Sequence, residues 1–144
     1  AGGNGEGSDP DQLAIPMGIA VNKKGDLFVA DTYNHRVQLW EKGAIKGKTL
    51  ISGKDFEPAY QTNYFSGISI LDDSFLYITD YQQKRIIRYH IDSDTFEIIS
   101  TNNSIVNEED KLSQPYQTAV DLMGDLIIAD AKNNRIQKRK IKNE

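Results

Sequence analysis

The chain has 144 residues, of which 26% are charged and 38% hydrophobic, and its formal net charge is −4 at pH 7. The length suits one domain, and the acidic balance disfavours broad binding to nucleic acids or anionic membranes, which attract basic surfaces. The sequence contains no cysteine, which excludes disulfides and cysteine-ligated zinc. No apolar run approaches the roughly 18 residues of a membrane-spanning helix, so no membrane partner is expected.

Four short strands are predicted in the first part of the chain. They are Gly18–Asn22, Leu27–Ala30, Arg36–Trp40 and Lys48–Ile51. The first two are joined by a hairpin in which Gly25 can adopt a positive φ. The second strand is apolar at consecutive positions, which is typical of a central strand that is covered on both faces.

The same pattern occurs three times. The copies begin at Pro16, Phe65 and Pro115, which are 49 and 50 residues apart. An apolar block in each copy is followed by an aspartate and, five positions later, by an arginine. These residues are Asp31 and Arg36, Asp80 and Arg85, and Asp130 and Arg135. A period of about 40–50 residues made of short strands indicates β-propeller blades.

The sequence therefore predicts an all-β fold over residues 1–144, a partial β-propeller of about three four-stranded antiparallel blades. The repeats are approximately 13–53, 62–101 and 112–141, and the third ends before its fourth strand. A four-stranded sheet that is apolar on both faces must pack between copies of itself. Because propellers close with roughly four to eight blades, we expect further blades from a longer chain or from a second copy.

The first copy resembles the NHL repeat. It reads Pro16-x-Gly18-Ile-Ala-Val-x3-Gly25-Asp-Leu-Phe-Val-Ala-Asp31-Thr-x-Asn34-His35-Arg36-Val37. The second copy departs from it, since Ser74 replaces the hairpin glycine and Gln83-Lys84 replace Asn-His. The resemblance implies half of a six-bladed propeller that serves as a recognition scaffold. Members bind proteins, RNA in some tripartite-motif proteins, or small molecules, and a few related propellers are enzymes such as peptide-amidating lyases.

The aspartate–arginine pairs are interpreted as structural. An aspartate at the end of a strand can accept N–H groups of the following turn, and an arginine facing it can brace the hairpin. One pair in every blade fits a building element, whereas a catalytic group is usually unique. His35 belongs to the Asn-His-Arg segment of the repeat and is interpreted as part of the same scaffold. It also lies in the loop between the second and third strands.

A candidate surface for a protein partner lies on the loops at one end of the blades. Three residues are expected to surround the mouth of the channel because they enter the innermost strands; these are Met17, Ser66 and Tyr116. The loops between the second and third strands add Tyr33, His35, Tyr81, Lys84 and Lys132. Tyrosine is favoured at interfaces. The alternative is that the tyrosines only cover the apolar layer between blades.

No catalytic residue, metal site or cofactor is expected. An enzyme needs a constellation that occurs once or a set of metal ligands, and the chain has two histidines and no cysteine. The Glu108-Glu109-Asp110 run is interpreted as a solvated loop. A lyase- or lactonase-type propeller with a metal at its axis is the enzymatic alternative, and RNA binding through Lys84 and Lys132 is another.

A dense run of basic residues at 138–142 remains. It is interpreted as an exposed outer strand or as one that awaits a missing fourth strand, with nucleic-acid binding as the alternative.

Overall fold

The computed structural model describes residues 1–56, 63–100 and 111–141. In these ranges the chain forms eleven strands and several short 3-10 turns. The strands are β1 (Gly18–Val21), β2 (Leu27–Asp31), β3 (Arg36–Trp40), β4 (Lys48–Ser52), β5 (Phe65–Leu71), β6 (Phe75–Asp80), β7 (Arg85–His90), β8 (Thr95–Ser100), β9 (Pro115–Val120), β10 (Leu126–Asp130) and β11 (Arg135–Arg139). None of the helical segments in the described part of the chain has the length and apolar character needed to cross a bilayer.

The strands form three antiparallel sheets in simple up-and-down order. Two sheets have four strands, β1-β2-β3-β4 and β5-β6-β7-β8, and the third has the order β9-β10-β11 among the described residues. We refer to them as blades 1, 2 and 3. The architecture confirms the predicted all-β, partial propeller. The predicted strands differ from the observed ones by at most one residue at either end, as expected when strand ends are read from local pattern.

The innermost strands of successive blades approach one another backbone to backbone. A Cβ atom added to Gly18 would lie 2.2 Å from the carbonyl oxygen of Ser66, and one added to Gly67 would lie 2.7 Å from the carbonyl oxygen of Tyr116. Only glycine leaves room for such an approach. The equivalent position in blade 3 is Gln117, which is exposed, so blade 3 presents a side chain where blades 1 and 2 present a packed backbone.

Two apolar cores lie between the blades. Leu76 and Ile78 of β6 belong to the core between blades 1 and 2, whereas Tyr77 belongs to the core between blades 2 and 3. Because successive side chains of a strand point to opposite faces, β6 supplies both cores. This explains why the central strands are apolar at consecutive positions, as the sequence predicts.

The hairpin between the first two strands adapts where blade 2 lacks its glycine. In blade 1 the turn places Gly25 at a φ of +89°. In blade 2, which has Ser74 at that position, Asp72 and Asp73 take positive φ values of 49° and 56° instead. Aspartate tolerates this left-handed conformation better than most residues, so the turn persists without the glycine.

Candidate partner-recognition surface

A buried carboxylate joins the second and third strands of blade 1 to the segment that precedes its first strand. The Asp31 carboxylate accepts hydrogen bonds from the backbone N–H of Ala14 at 2.7 Å, from Asn34 Nδ2 at 2.8 Å and from Arg36 Nε at 2.7 Å. Arg36 also donates to the carbonyl oxygens of residues 8, 9 and 12. This arrangement holds the loop between β2 and β3 in a fixed position.

The other two blades repeat this arrangement. Asp80 accepts the Tyr64 N–H at 3.1 Å and Arg85 Nε at 3.1 Å. Asp130 accepts a backbone N–H of residue 113 at 2.6 Å and Arg135 Nε at 2.9 Å. Burial raises the pKa of Asp80, and the charge of Arg85 opposes that rise. All three arginines therefore have a carboxylate partner, as a bracing role requires, which lowers the positive charge that they present to a ligand.

Four tyrosines form a row across the three blades at this loop end. The ring centroids of Tyr33 and Tyr64 are 5.7 Å apart, those of Tyr64 and Tyr81 are 5.4 Å apart, and those of Tyr81 and Tyr116 are 4.9 Å apart. The last two rings are stacked with an interplanar angle of 9°. We call these four residues the tyrosine row. Its two ends are the most accessible, since Tyr33 is 53% and Tyr116 is 38% exposed.

Tyr64 is not among the residues predicted from the sequence for this surface. This residue lies directly before β5, and the equivalent positions in the other blades are Ile15 and Gln114. If the alignment of the three copies began one residue earlier, it would include a large or polar side chain at this position in each copy. It would not have shown that the Tyr64 ring connects the ring of Tyr33 to that of Tyr81.

Tyr81, in the middle of the tyrosine row, is uncharged near pH 7. Burial raises the pKa of Tyr81, and the neighbouring phenols of Tyr116, Tyr33 and Tyr64 raise it further. The Tyr81 hydroxyl therefore remains protonated and can donate as well as accept hydrogen bonds. Half-buried rings with polar tips combine apolar contact area with directional hydrogen bonding.

His35 lies behind the tyrosine row. Its Nδ1 is 2.7 Å from the carbonyl oxygen of Asn63, and its ring meets that of Tyr64 edge-on at 5.0 Å between centroids. The backbone of His35 has a φ of 54°, and this left-handed residue ends the short turn before β3. These contacts link blade 1 to the segment that leads into blade 2.

The remaining candidate residues differ in accessibility. Met17, Lys84 and Lys132 are exposed. Ser66 was expected at the mouth of the channel but is only 2% exposed. Its hydroxyl lies 2.8 Å from Thr79 Oγ1 and donates to the Tyr116 carbonyl oxygen at 2.9 Å. The close approach of the inner strands buries Ser66, so it links blades 2 and 3 and cannot contact a partner.

The basic run near the C-terminus is partly neutralised. Lys138 Nζ lies 2.7 Å from Asp121 and 3.0 Å from Asp125, and hydrogen bonds to these carboxylates raise the pKa of Lys138. Across residues 1–56, 63–100 and 111–141, no three histidine or acidic side chains are grouped so that they could hold a metal ion. The Glu108-Glu109-Asp110 run and Lys142 lie outside the described residues.

Comparison with known proteins supports the architecture. The NHL repeat family matches residues 13–39. A stretch of 31 residues is 55% identical to the B-box type zinc finger protein ncl-1 of Caenorhabditis elegans, and one of the same length is 52% identical to Protein brain tumor of Drosophila melanogaster. Each stretch covers 22% of this chain but only 4% and 3% of those relatives.

The solved structure of virginiamycin B lyase from Staphylococcus aureus has the same fold. It superposes on 90% of this chain with a TM-score of 0.63 and 15% sequence identity, and the chain covers 42% of that protein. An identity this low carries no information about activity. Taken with the repeated sheets, the matches identify an NHL repeat at residues 13–39 within a chain that has a partial β-propeller fold.

Proposed function

We propose that this chain is a non-enzymatic recognition module that binds a protein partner through the loop end of its blades. The observation that carries the proposal is the tyrosine row, which runs over three blades and is accessible at both of its ends. Aromatic side chains are enriched among the residues that dominate protein interfaces. The buried aspartate–arginine pairs hold the loops below the row, so binding would require little ordering of the loop backbone.

The orientation of the rings favours a protein over single-stranded RNA. Proteins bind unpaired bases by stacking them on free aromatic faces. The faces of Tyr81 and Tyr116 lie against each other, and the Tyr64 ring meets Tyr33 at an interplanar angle of 75°. A base could not insert between these rings without separating them. Ring edges and hydroxyl groups, by contrast, suit the mixed apolar and hydrogen-bonding surface of a polypeptide.

The test compares partner capture by three forms of the chain. The first is the native chain, the second carries Tyr33→Ala and Tyr116→Ala at the two ends of the row, and the third carries Leu122→Ala. Leu122 is exposed on the hairpin at the opposite end of blade 3, which makes it a matched control. We expect proteins that are enriched by the native chain to be retained by the control and lost with the double variant, as measured by quantitative mass spectrometry after nuclease treatment. Retention by the double variant would contradict the proposal.

RNA binding is the second candidate because Lys84 and Lys132 are both exposed at the same loop end. Affinity for a nucleic acid depends on neutralised phosphates and falls as salt rises. A polyuridine oligonucleotide would be titrated at two salt concentrations against the native chain and a variant with Lys84→Gln and Lys132→Gln. Micromolar binding that weakens with salt and is lost in this variant would favour RNA over a protein partner.

A further inference from the structure

A groove separates the inner hairpins of blades 2 and 3 at the end of the blades opposite the tyrosine row. One wall is the hairpin between β5 and β6, the other is the hairpin between β9 and β10, and the cavity between them has a volume of about 600 Å³. Its apolar lining comes from both hairpins and consists of Ile70, Leu71, Phe75, Val120, Leu122 and Met123. Because both walls lie within the described part of the chain, the groove belongs to these two blades and is not the free edge of a sheet.

The bridge that joins the equivalent hairpins of blades 1 and 2 is missing here. The backbone N–H of Lys23 donates to the Asp73 carboxylate at 3.2 and 3.3 Å, which ties the hairpin of blade 1 to that of blade 2. Fifty residues further on, Asp73 corresponds to Met123, whose thioether is only a weak acceptor. Among the described residues, no hydrogen bond joins residues 71–75 to residues 120–125. The space between these two hairpins is therefore left open.

The walls of the groove are held in place without a ligand. The Asp121 carboxylate accepts the backbone N–H groups of Met123 at 2.8 Å and Asp125 at 2.9 Å, which fixes the hairpin of blade 3. On the other wall, the Phe75 ring meets the His90 ring edge-on at 4.5 Å between centroids. A ligand that binds between walls of this kind requires little ordering of the protein.

The groove carries one negative charge that the protein does not pair. Its lining includes two aspartates, Asp72 and Asp121. Asp121 is paired with Lys138 Nζ at 2.7 Å. Asp72 is exposed, and in the described part of the chain its carboxylate has no hydrogen-bond or ion-pair partner. The outer hairpin of blade 2 at this end, residues 91–94, adds two aspartates and no lysine or arginine. The local charge therefore complements a basic ligand.

We propose that this groove binds an extended segment of a partner protein in which a large apolar side chain is next to a lysine or arginine. The apolar side chain lies between Phe75 and Val120, and the cation pairs with Asp72. This surface is at the opposite end of the blades from the tyrosine row and does not depend on the function proposed for that row.

The shape and charge of the groove favour a polypeptide over other ligands. Pockets for small molecules enclose most of the ligand, whereas Met123 at the rim is 83% exposed, so the groove is open to solvent. The unpaired carboxylate disfavours a nucleic acid or an anionic membrane, because both carry negative charge. A polypeptide can supply an apolar and a cationic side chain at adjacent positions.

The probe for the test is a fluorescent peptide, Gly-Ser-Lys-Phe-Lys-Ser-Gly, added to the full chain. We expect saturable binding by fluorescence polarisation, with NMR chemical-shift changes at residues 70–75 and 120–124. A peptide with serine in place of phenylalanine should bind about tenfold more weakly or worse, because the apolar side chain no longer fills the groove. Changes in the peptide leave the protein untouched, so misfolding cannot explain this result.

A double-mutant cycle tests the charge pair. Asp72→Asn should weaken binding about two- to fivefold, as expected for an ion pair near the surface. Asparagine tolerates the positive φ of 49° at this position, so the hairpin is preserved. Replacement of the peptide lysines by glutamine should weaken binding to the native chain more than binding to Asp72→Asn. Glu41→Gln, an exposed change on a hairpin of blade 1 at the same end, is the matched control and should leave binding unchanged.

A second control distinguishes the groove from the exposed tip of the blade 3 hairpin. The Leu122 side chain is fully exposed at the rim, so Leu122→Ala should bind the peptide as the native chain does. Loss of binding in Leu122→Ala would place the peptide on the tip and overturn the proposal. Absence of binding at millimolar peptide, shift changes confined to other residues, equal affinity of the serine peptide, or strictly additive effects in the cycle would also overturn it.

Discussion

The buried aspartate–arginine pairs allow a quantitative prediction because they differ in how far solvent reaches them. The Asp80 carboxylate is fully buried and the Arg85 side chain is only 8% exposed. In Asp80→Ala the guanidinium loses its carboxylate but keeps Asn63 Oδ1 at 2.6 Å and the Phe56 ring at 3.9 Å. Neither replaces the lost negative charge. Removal of one member of a buried ion pair costs about 3–5 kcal/mol, and we expect the free energy of unfolding to fall by that amount.

Asp130→Ala serves as the comparison. The partner of Asp130, Arg135, is 32% exposed in its side chain, so water can solvate the guanidinium once the carboxylate is gone. We expect a smaller loss of about 1–3 kcal/mol, which reflects mainly the unpaired backbone N–H and the lost hydrogen bonds. Urea unfolding followed by circular dichroism would measure both variants, with the slope of the free energy against urea checked for constancy.

A double variant separates the unpaired charge from the missing hydrogen bonds. In Asp80→Ala with Arg85→Met the buried cation is absent, and an apolar side chain of similar length remains. We expect this chain to be more stable than Asp80→Ala alone, because replacement of a buried ion pair by apolar groups is often close to neutral. If Asp80→Ala and Asp130→Ala lost the same free energy, or if Arg85→Met gave no recovery, the explanation based on buried charge would be refuted.

Two further predictions concern packing and alkaline stability. Gly18→Ala should lower the free energy of unfolding by about 2 kcal/mol or more, because the alanine Cβ would lie 2.2 Å from the Ser66 carbonyl oxygen. Gln117→Ala, at the equivalent exposed position of blade 3, should change the free energy of unfolding by no more than about 0.5 kcal/mol. Chemical denaturation of both variants measures the two values. The pKa of Tyr81 is raised above its ordinary value of 10.0 by burial and then by the neighbouring phenols, so the folded state favours the neutral phenol and loses stability as pH rises through that ordinary value. Tyr81→Phe should therefore lose less stability than the native chain above pH 10 in unfolding experiments over a pH series, and an identical pH dependence would contradict the assigned cause.

The strands and their order were predictable because they depend on short-range pattern. Consecutive apolar residues at Leu27–Ala30 and the aspartate that follows them occur in each copy, and one repeat of this kind defines one sheet. The pairing of Asp31 with Arg36 was predictable as well, since a tight loop brings the ends of adjacent strands together. The third sheet contains three strands among the described residues.

The composition of the loop surface could not be predicted in the same way, because it depends on contacts between blades. Tyr64 joins the tyrosine row through rings that come from loops of different blades, and Ser66 is buried because glycine lets the inner strands approach closely. The pattern along a strand predicts which side chains lie on each face of one sheet. The burial of a side chain at the end of a sheet depends instead on the distance to the neighbouring sheet. The sequence by itself therefore determined the blades and their internal braces, and only the packing of one blade against another decided which side chains a partner can reach.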